Sequence, residues 1–270
     1  MTRYIDKNLL EHAMWKPADA LPTTKKEPAP PPQPQPIVAL EGDYILMDLV
    51  DTYAKGVHNL QKACQKRTAS PHPTYTKPDG SLIYRPLTFK ENLEARVTDY
   101  ENNKDTEERK RLFKRWNDSC TGLAYKKGAT KFKLIHLSPE LITIPEDFKQ
   151  GYIKVDYDAI SGVELDKKDA TYNTLLSPSQ IEVHPAWLAA LEDDAHLLKT
   201  YRDIVFAERK TDTAMGFWLR NEIVEDQLRA LFVYNLYNYS IADGNNNLSN
   251  YGSFLHVAPS GSAAGASRKK

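Results

Sequence analysis

The 270-residue chain has little of several things that proteins commonly rely on. It contains two cysteines, Cys64 and Cys120, too few to staple a chain of this length and in no metal-binding spacing. No run approaches the roughly 20 apolar residues that a membrane helix needs. Residues 1–10 carry Arg3, Asp6 and Lys7 and no apolar stretch, so a secretory leader is not expected. Charge of one sign is also missing: 36 Lys+Arg balance 36 Asp+Glu, which argues against a dedicated electrostatic nucleic-acid binder. The 12 glycines form no phosphate-binding loop, and His-Glu-x-x-His, Gly-x-Ser-x-Gly and Cys-x-x-Cys are all absent. The seven histidines (12, 58, 72, 136, 184, 196, 256) include no i, i+4 pair. A globular chain that relies on packing is expected, with no cofactor, metal or catalytic residue. Its default location is the cytoplasm, with a virion or a cell surface as alternatives.

What is present begins with proline. Eight of the 17 prolines fall between Pro17 and Pro36. The run around Pro30-Pro31-Pro32 should be stiff and extended, either a spacer or a docking motif for an aromatic groove. Residues 1–40 read as a flexible segment with a short helix over 5–15, and 261–270 as a fraying tail. Asp43 is a candidate N-cap. Leu46, Leu49, Val50, Tyr53, Val57, Leu60 and Cys64 then recur at spacings of three and four, which predicts a helix to about residue 67 with Cys64 as a packed thiol. Lys77-Pro78-Asp79-Gly80 predicts a turn before a strand over 81–84. Thr88 with Glu91 predicts a capping box for a helix over 89–103, and a third helix is expected over 105–116. Residues 90–133 hold 12 basic against 8 acidic side chains and 138–200 hold 5 against 12, read as solvated surfaces. Strands are expected over 131–137, 152–157, 214–220, 229–234 and 252–259, with helical material over 177–206.

Chemistry is hard to find. Asp156 with Asp158, and Glu192-Asp193-Asp194, are ordinary loop and helix-end acids before they are a cation site. Cys120 has no base beside it in sequence. Trp116-Asn117-Asp118 repeats a triplet that calcium-dependent C-type lectins carry near their carbohydrate site. The companion Glu-Pro-Asn or Gln-Pro-Asp loop is absent, and calcium needs six or more oxygens from several segments, so the triplet is read as the polar end of a helix.

Residues 234–256 stand apart. They hold six of the 14 asparagines, four tyrosines and three serines, and Asp243 is their only fully charged side chain. Tyrosine offers large rigid contact area at low entropy cost, and Asn and Ser offer adaptable hydrogen bonds, as in a paratope. Leu236, Ala242, Leu248 and Phe254 fall six apart and are expected to anchor the segment, with Asp243-Gly244 as a turn and the residues between facing outward. A single adenine change in the Asn codon AAC gives Tyr, His, Asp, Ser, Thr or Ile. Asn235, Asn238, Asn245, Asn246, Asn247 and Asn250 would be unaltered codons. Tyr234, Tyr237, Tyr239, Ser240, Ile241, Ser249, Tyr251, Ser253 and His256 would each be one adenine away. Together these are 15 of the 23 positions.

With Gly216-Phe217-Trp218-Leu219-Arg220, Arg229-Ala230-Leu231-Phe232-Val233, Ala242-Asp243-Gly244 and the Gly252-x-Phe-Leu-x-Val-Ala-Pro259 run, this segment resembles the archaeal branch of the variable proteins of diversity-generating retroelements. In that family a reverse transcriptase misreads adenines of an invariant template and writes the copy into the 3′ part of the variable gene. The resemblance implies an α+β chain with a C-type lectin fold of small antiparallel sheets and flanking helices, without the calcium site. The helices expected above make 41–119 the helical part, followed by a lectin-like region over 120–260 with a variable segment over 221–257. The 15 positions above would contact an unknown protein or cell-surface ligand, with no nucleic acid and no membrane span involved. Competing readings are a prion-like segment, a fixed-specificity β-rich binding module whose asparagines merely favour turns, and an enzyme with an unrecognised site.

Overall fold

A computed structural model describes residues 38–39, 44–65, 72–170 and 174–257, with the side chains of those between 51 and 255 other than 169. The proline-rich run, the helix expected over 5–15, the Asp43 cap and the C-terminal tail lie outside the described residues. In chain order the elements are β1 (Val38–Ala39), β2 (Tyr44–Thr52), α1 (Tyr53–Gln65), β3 (Thr74–Thr76), β4 (Leu82–Tyr84) and α2 (Phe89–Asn102). There follow β5 (Asn117–Tyr125), β6 (Lys131–Ile135), α3 (Pro139–Ile142), β7 (Ile153–Lys154) and β8 (Val163–Asp166). The chain continues through α4 (Pro178–Glu182), α5 (Pro185–Ala190), α6 (Ala195–Arg209), β9 (Phe217–Trp218), β10 (Gln227–Val233), β11 (Ala242–Asp243) and β12 (Tyr251–Val257). No helix among the described residues is long and apolar enough to cross a membrane.

The main sheet runs β8-β6-β5-β10-β11-β9, with β7 pairing β10. Its pairs are antiparallel except β11 with β9. The two central strands, β5 and β10, are buried along their whole length, so both sheet faces must be covered. Odd positions Leu123, Tyr125, Leu231 and Val233 face one core, built with Phe89 and Leu93 of α2, Trp187 of α5 and Tyr201 of α6. Even positions Ala124, Leu228 and Ala230 face the other, built with Tyr53, Val57, Leu60 and Cys64 of α1 and with Leu248 and Phe254. The period of two thus sorts alternate residues of one strand into separate cores. A second sheet, β1-β2-β12, ties Tyr251–Val257 back to Tyr44–Thr52.

Several local expectations agree with the structure. Thr88 Oγ1 accepts from Glu91 N at 3.2 Å while Glu91 Oε2 accepts from Thr88 N at 2.7 Å, the reciprocal cap that starts α2. Gly80, at φ +82°, turns the β3–β4 hairpin. Cys64 is buried on the inner face of α1.

Others need correction. Residues 44–52 are strand, not the first turns of a helix. Their spacing satisfies a helical period, but pairing with β12 decides the conformation. Residues 105–116 form only a 3-10 turn (Glu107–Lys110) and further turns. There Arg111 is drawn down to the buried Asp99 carboxylate, Nε to Oδ1 at 2.7 Å, and Leu112 and Phe113 are buried. Trp116-Asn117-Asp118 does not end a helix, because Asn117 opens β5. The strands expected over 131–137 and 152–157 shorten to Lys131–Ile135 and Ile153–Lys154. The basic stretch is not wholly solvated either, since Arg96 and Arg111 are buried.

The two six-spaced anchors Leu248 and Phe254 close the second core, where Phe254 meets the Tyr53 ring edge-on at 5.2 Å between centroids. Replacing Phe254 or Leu248 by Ala should cost about 2–5 kcal/mol of unfolding free energy in chemical denaturation, because neither cavity can collapse between a sheet and a helix. A change below about 0.5 kcal/mol, the usual range for surface positions, would show that they are not core residues.

Candidate ligand-binding surface

Residues 234–251 emerge from the end of β10 as two loops on either side of β11. The first is fixed from below by Arg96. Its fully buried guanidinium donates to Asn117 Oδ1 (3.1 and 2.8 Å), Tyr201 Oη (2.9 Å), Arg115 O (2.6 Å) and Tyr234 O (3.0 Å). A buried cation can persist when such a set of oxygens satisfies it. Beyond Tyr234 the chain makes a 3-10 turn (Leu236–Asn238) capped by Asn235, whose side chain accepts from Asn238 N at 2.9 Å. Tyr239 (φ 58°) and Ser240 (φ 49°) then take the left-handed conformation that Asn and Gly adopt most easily.

The second loop rests on Asp118. This buried carboxylate accepts from Asn246 Nδ2 at 2.9 Å through one oxygen and from Ser253 N at 2.9 Å through the other. A Cβ on Gly252 would lie 2.1 Å from the second oxygen, so the approach requires glycine. Asp243, also buried, accepts from Asn245 N at 2.6 Å and from the Tyr234 hydroxyl. Asn247 Oδ1 accepts from Ser249 N and Oγ at 3.0 and 2.7 Å.

Much of the support comes from main chain alone. Leu236 N donates to Phe113 O (2.6 Å), Met215 N to Tyr239 O (2.9 Å), Tyr234 N to Ile241 O (2.9 Å) and Leu248 N to Gly151 O (2.9 Å). Such bonds survive a change of side chain at the loop positions.

The 15 candidate positions therefore divide. Tyr237 (65% exposed), Tyr251 (64%) and Asn250 are open to solvent. Tyr234, Asn235, Asn238, Tyr239, Asn245, Asn246, Asn247 and Ser249 are half-buried, and Tyr239 lies under Arg209, 4.3 Å from guanidinium carbon to ring centroid. Ser240, Ile241 and Ser253 are buried and do not face outward as the composition suggests. Segment ends tucked against β11 and β12 leave no room for it. His256 lies on β12 opposite Ile45, and its side chain is outside the described residues. All four anchors, Leu236, Ala242, Leu248 and Phe254, are buried. Sequence reasoning missed Arg96 and Asp118. The only signal for Asp118 was the Trp-Asn-Asp triplet itself.

Elsewhere the acids and thiols have structural partners. Asp158 pairs with Lys126 at 2.6 Å, and Asp194 caps α6 through Leu197 N at 2.9 Å. Burial pushes the Cys120 thiol up to about 12, so it stays protonated at neutral pH. Among the described residues no three His, Cys, Asp or Glu side chains are grouped to hold a metal ion.

No family model and no curated protein matches the chain. It is similar to a solved structure described as the accommodation of massive sequence variation in Nanoarchaeota by the C-type lectin fold. The TM-score is 0.52 at 16% identity, over 77% of this chain and 94% of that one. The fold is α+β and C-type-lectin-like.

Burial raises the carboxyls of both Asp118 and Asp243 to about 7, against the opposing pull of their hydrogen bonds. The folded chain then holds protons that the unfolded chain releases, so the stability these groups contribute is present at acid pH and is lost as pH rises through about 7. The melting temperature should accordingly fall between about pH 5 and about pH 8, and Asp243→Asn should flatten that slope. A melting temperature that climbs across the interval would contradict the assignment.

Proposed function

We propose that residues 234–251 form a ligand-binding surface on a C-type-lectin-like frame, and that its side chains are diversified by adenine-directed mutagenesis of their codons. The observation that carries this reading is the division just described. The four six-spaced apolar residues are buried, while Tyr237 and Asn250 stand exposed in loops held largely by main-chain hydrogen bonds and Tyr251 stands exposed at the start of β12. A surface built in this way tolerates exchange of its side chains because the backbone does not depend on most of them. The left-handed conformation at Tyr239 and Ser240 adds support, since an unaltered asparagine codon would supply the residue that backbone suits best. The solved structure of similar fold is itself described in terms of massive sequence variation.

In this reading Tyr237 and Tyr251 are the aromatic anchors, and the asparagines and serines adjust hydrogen bonding to protein or other macromolecular ligands. Asn235, Asn246 and Asn247 use their amides within the loops, so substitution there also reshapes the surface. The reading assigns no covalent chemistry to the surface.

Ligands selected from a display library on the wild-type chain provide the test. Replacing Tyr237 and Tyr251 together by Ala should change stability by less than about 0.5 kcal/mol for exposed positions. It should weaken the selected ligands at least about tenfold, as loss of aromatic anchors does. A large drop in melting temperature, or undiminished binding, would overturn the reading.

A further inference from the structure

Two arginines flank Asn245, and their one buried acidic neighbour, Asp243, attracts Arg229 without a direct ion pair. Arg220, half-exposed after β9, donates through Nη1 to Asn245 Oδ1 at 3.1 Å and through Nε to Glu222 O at 3.3 Å. Arg229 on β10, 6% exposed, donates through Nε to Gln227 Oε1 at 2.9 Å. Its Nη1 donates to Asn245 O at 3.3 Å and to Asn246 O at 2.8 Å. Among the described residues neither makes an ion pair, and neither Nη2 donates a hydrogen bond. Their charges repel one another, and burial with that repulsion lowers Arg229 to about 10. Arg229 hydrogen-bonds only neutral oxygens, with the Tyr152 ring 5.3 Å from its guanidinium carbon, and one buried carboxyl, Asp243, stands against two guanidinium charges, so the site keeps a net positive charge.

We propose that Arg220 and Arg229 form an anion notch at the edge of the loop surface, and that it receives a carboxylate of an acidic protein ligand. The inference rests on residues 234–251 being a ligand surface and gives that ligand a chemistry. The unused donors of a planar guanidinium match the two oxygens of a carboxylate. A protein carboxylate fits better than a nucleic-acid backbone. Glu222, Glu225 and Asp226 follow Arg220 directly, and a strand of phosphates crossing this rim would meet them. Arg220 precedes the 221–257 segment, so in this reading it supplies a constant charge beside changing neighbours.

The notch can be tested without knowing the ligand. In the 15N-labelled full-length chain, the arginine Nε–Hε resonances of Arg220 and Arg229 should shift saturably with sodium acetate and not with sodium chloride at equal ionic strength. Arg220→Gln should abolish the shift at Arg229. Equal responses to the two salts would overturn the notch, and a stronger response to a short DNA duplex would replace the carboxylate by phosphate. The display-selected ligands then separate the two ideas. Ligands that need Tyr237 and Tyr251 should be enriched in Asp and Glu, and should lose at least about tenfold in affinity on Arg220→Gln, with the melting temperature unchanged. If they keep affinity within about twofold, the notch fails and the surface stands. If they ignore the tyrosines but need Arg220, the notch stands and the surface reading fails.

Discussion

The buried carboxylate of Asp118 is the constraint on which the rest of the structure turns. It sits at the head of β5, a strand enclosed on both sides, and holds Asn246 with one oxygen and the main chain of Ser253 with the other. One side chain thereby joins the central sheet, the second loop and the last strand. Arg96 does the complementary work one residue earlier, gripping Asn117 and the carbonyl of Tyr234. Between them these two side chains fix both ends of the stretch whose composition is so unusual. Burying charged groups in this way is expensive unless their hydrogen bonds are met. Here each bond also points at a loop, so the energy that secures the polar groups is the energy that places the surface.

If the proposed diversification holds, the surface needs a frame that does not change with it. The main-chain bonds from Leu236, Tyr234, Met215 and Leu248 carry no information about side chains, and the four apolar anchors lie among non-adenine positions in the proposed codon pattern. Under the proposed diversification, most of the positions that would vary are thus separate from those that hold the fold, Asn246 on Asp118 being an exception. The separation is incomplete. Ser240 and Ser253 are buried with hydroxyls that have no partner among the described residues, and a Tyr or His there would have to displace neighbours.

Short-range chemistry made part of this legible from sequence. The Thr88–Glu91 box, the Lys77–Gly80 turn, the inner face of α1 from Tyr53 to Cys64 and the six-residue spacing of the anchors each depend on neighbours within a few positions. The misreadings share the opposite property. Residues 44–52 carry an apolar spacing compatible with a helix, and only pairing with β12, some two hundred residues away, makes them a strand. Residues 105–116 have helical composition, yet the demand that Arg111 reach Asp99 breaks them into turns. The Trp116-Asn117-Asp118 triplet was visible, but its role was not, because the groups that Asp118 holds lie 128 and 135 residues further along the chain. Polar residues in sequence signal surface by default, and only partners brought by the fold reveal them as interior.

The proposed rewriting of adenines implies that side chains in 234–256 differ between copies of this gene. Sequencing the gene and its flanking DNA from several isolates tests it most directly. Adenine rewriting predicts a nearby non-coding repeat that matches the codons for 221–257, differs from them only at its adenines, and lies beside a reverse-transcriptase gene. Isolates should then differ at positions such as Tyr237, Asn238, Asn250 and Tyr251 and agree at Leu236, Ala242, Leu248 and Phe254. Isolates that agree at every one of these positions, with no such repeat, would contradict it and leave a surface of fixed specificity.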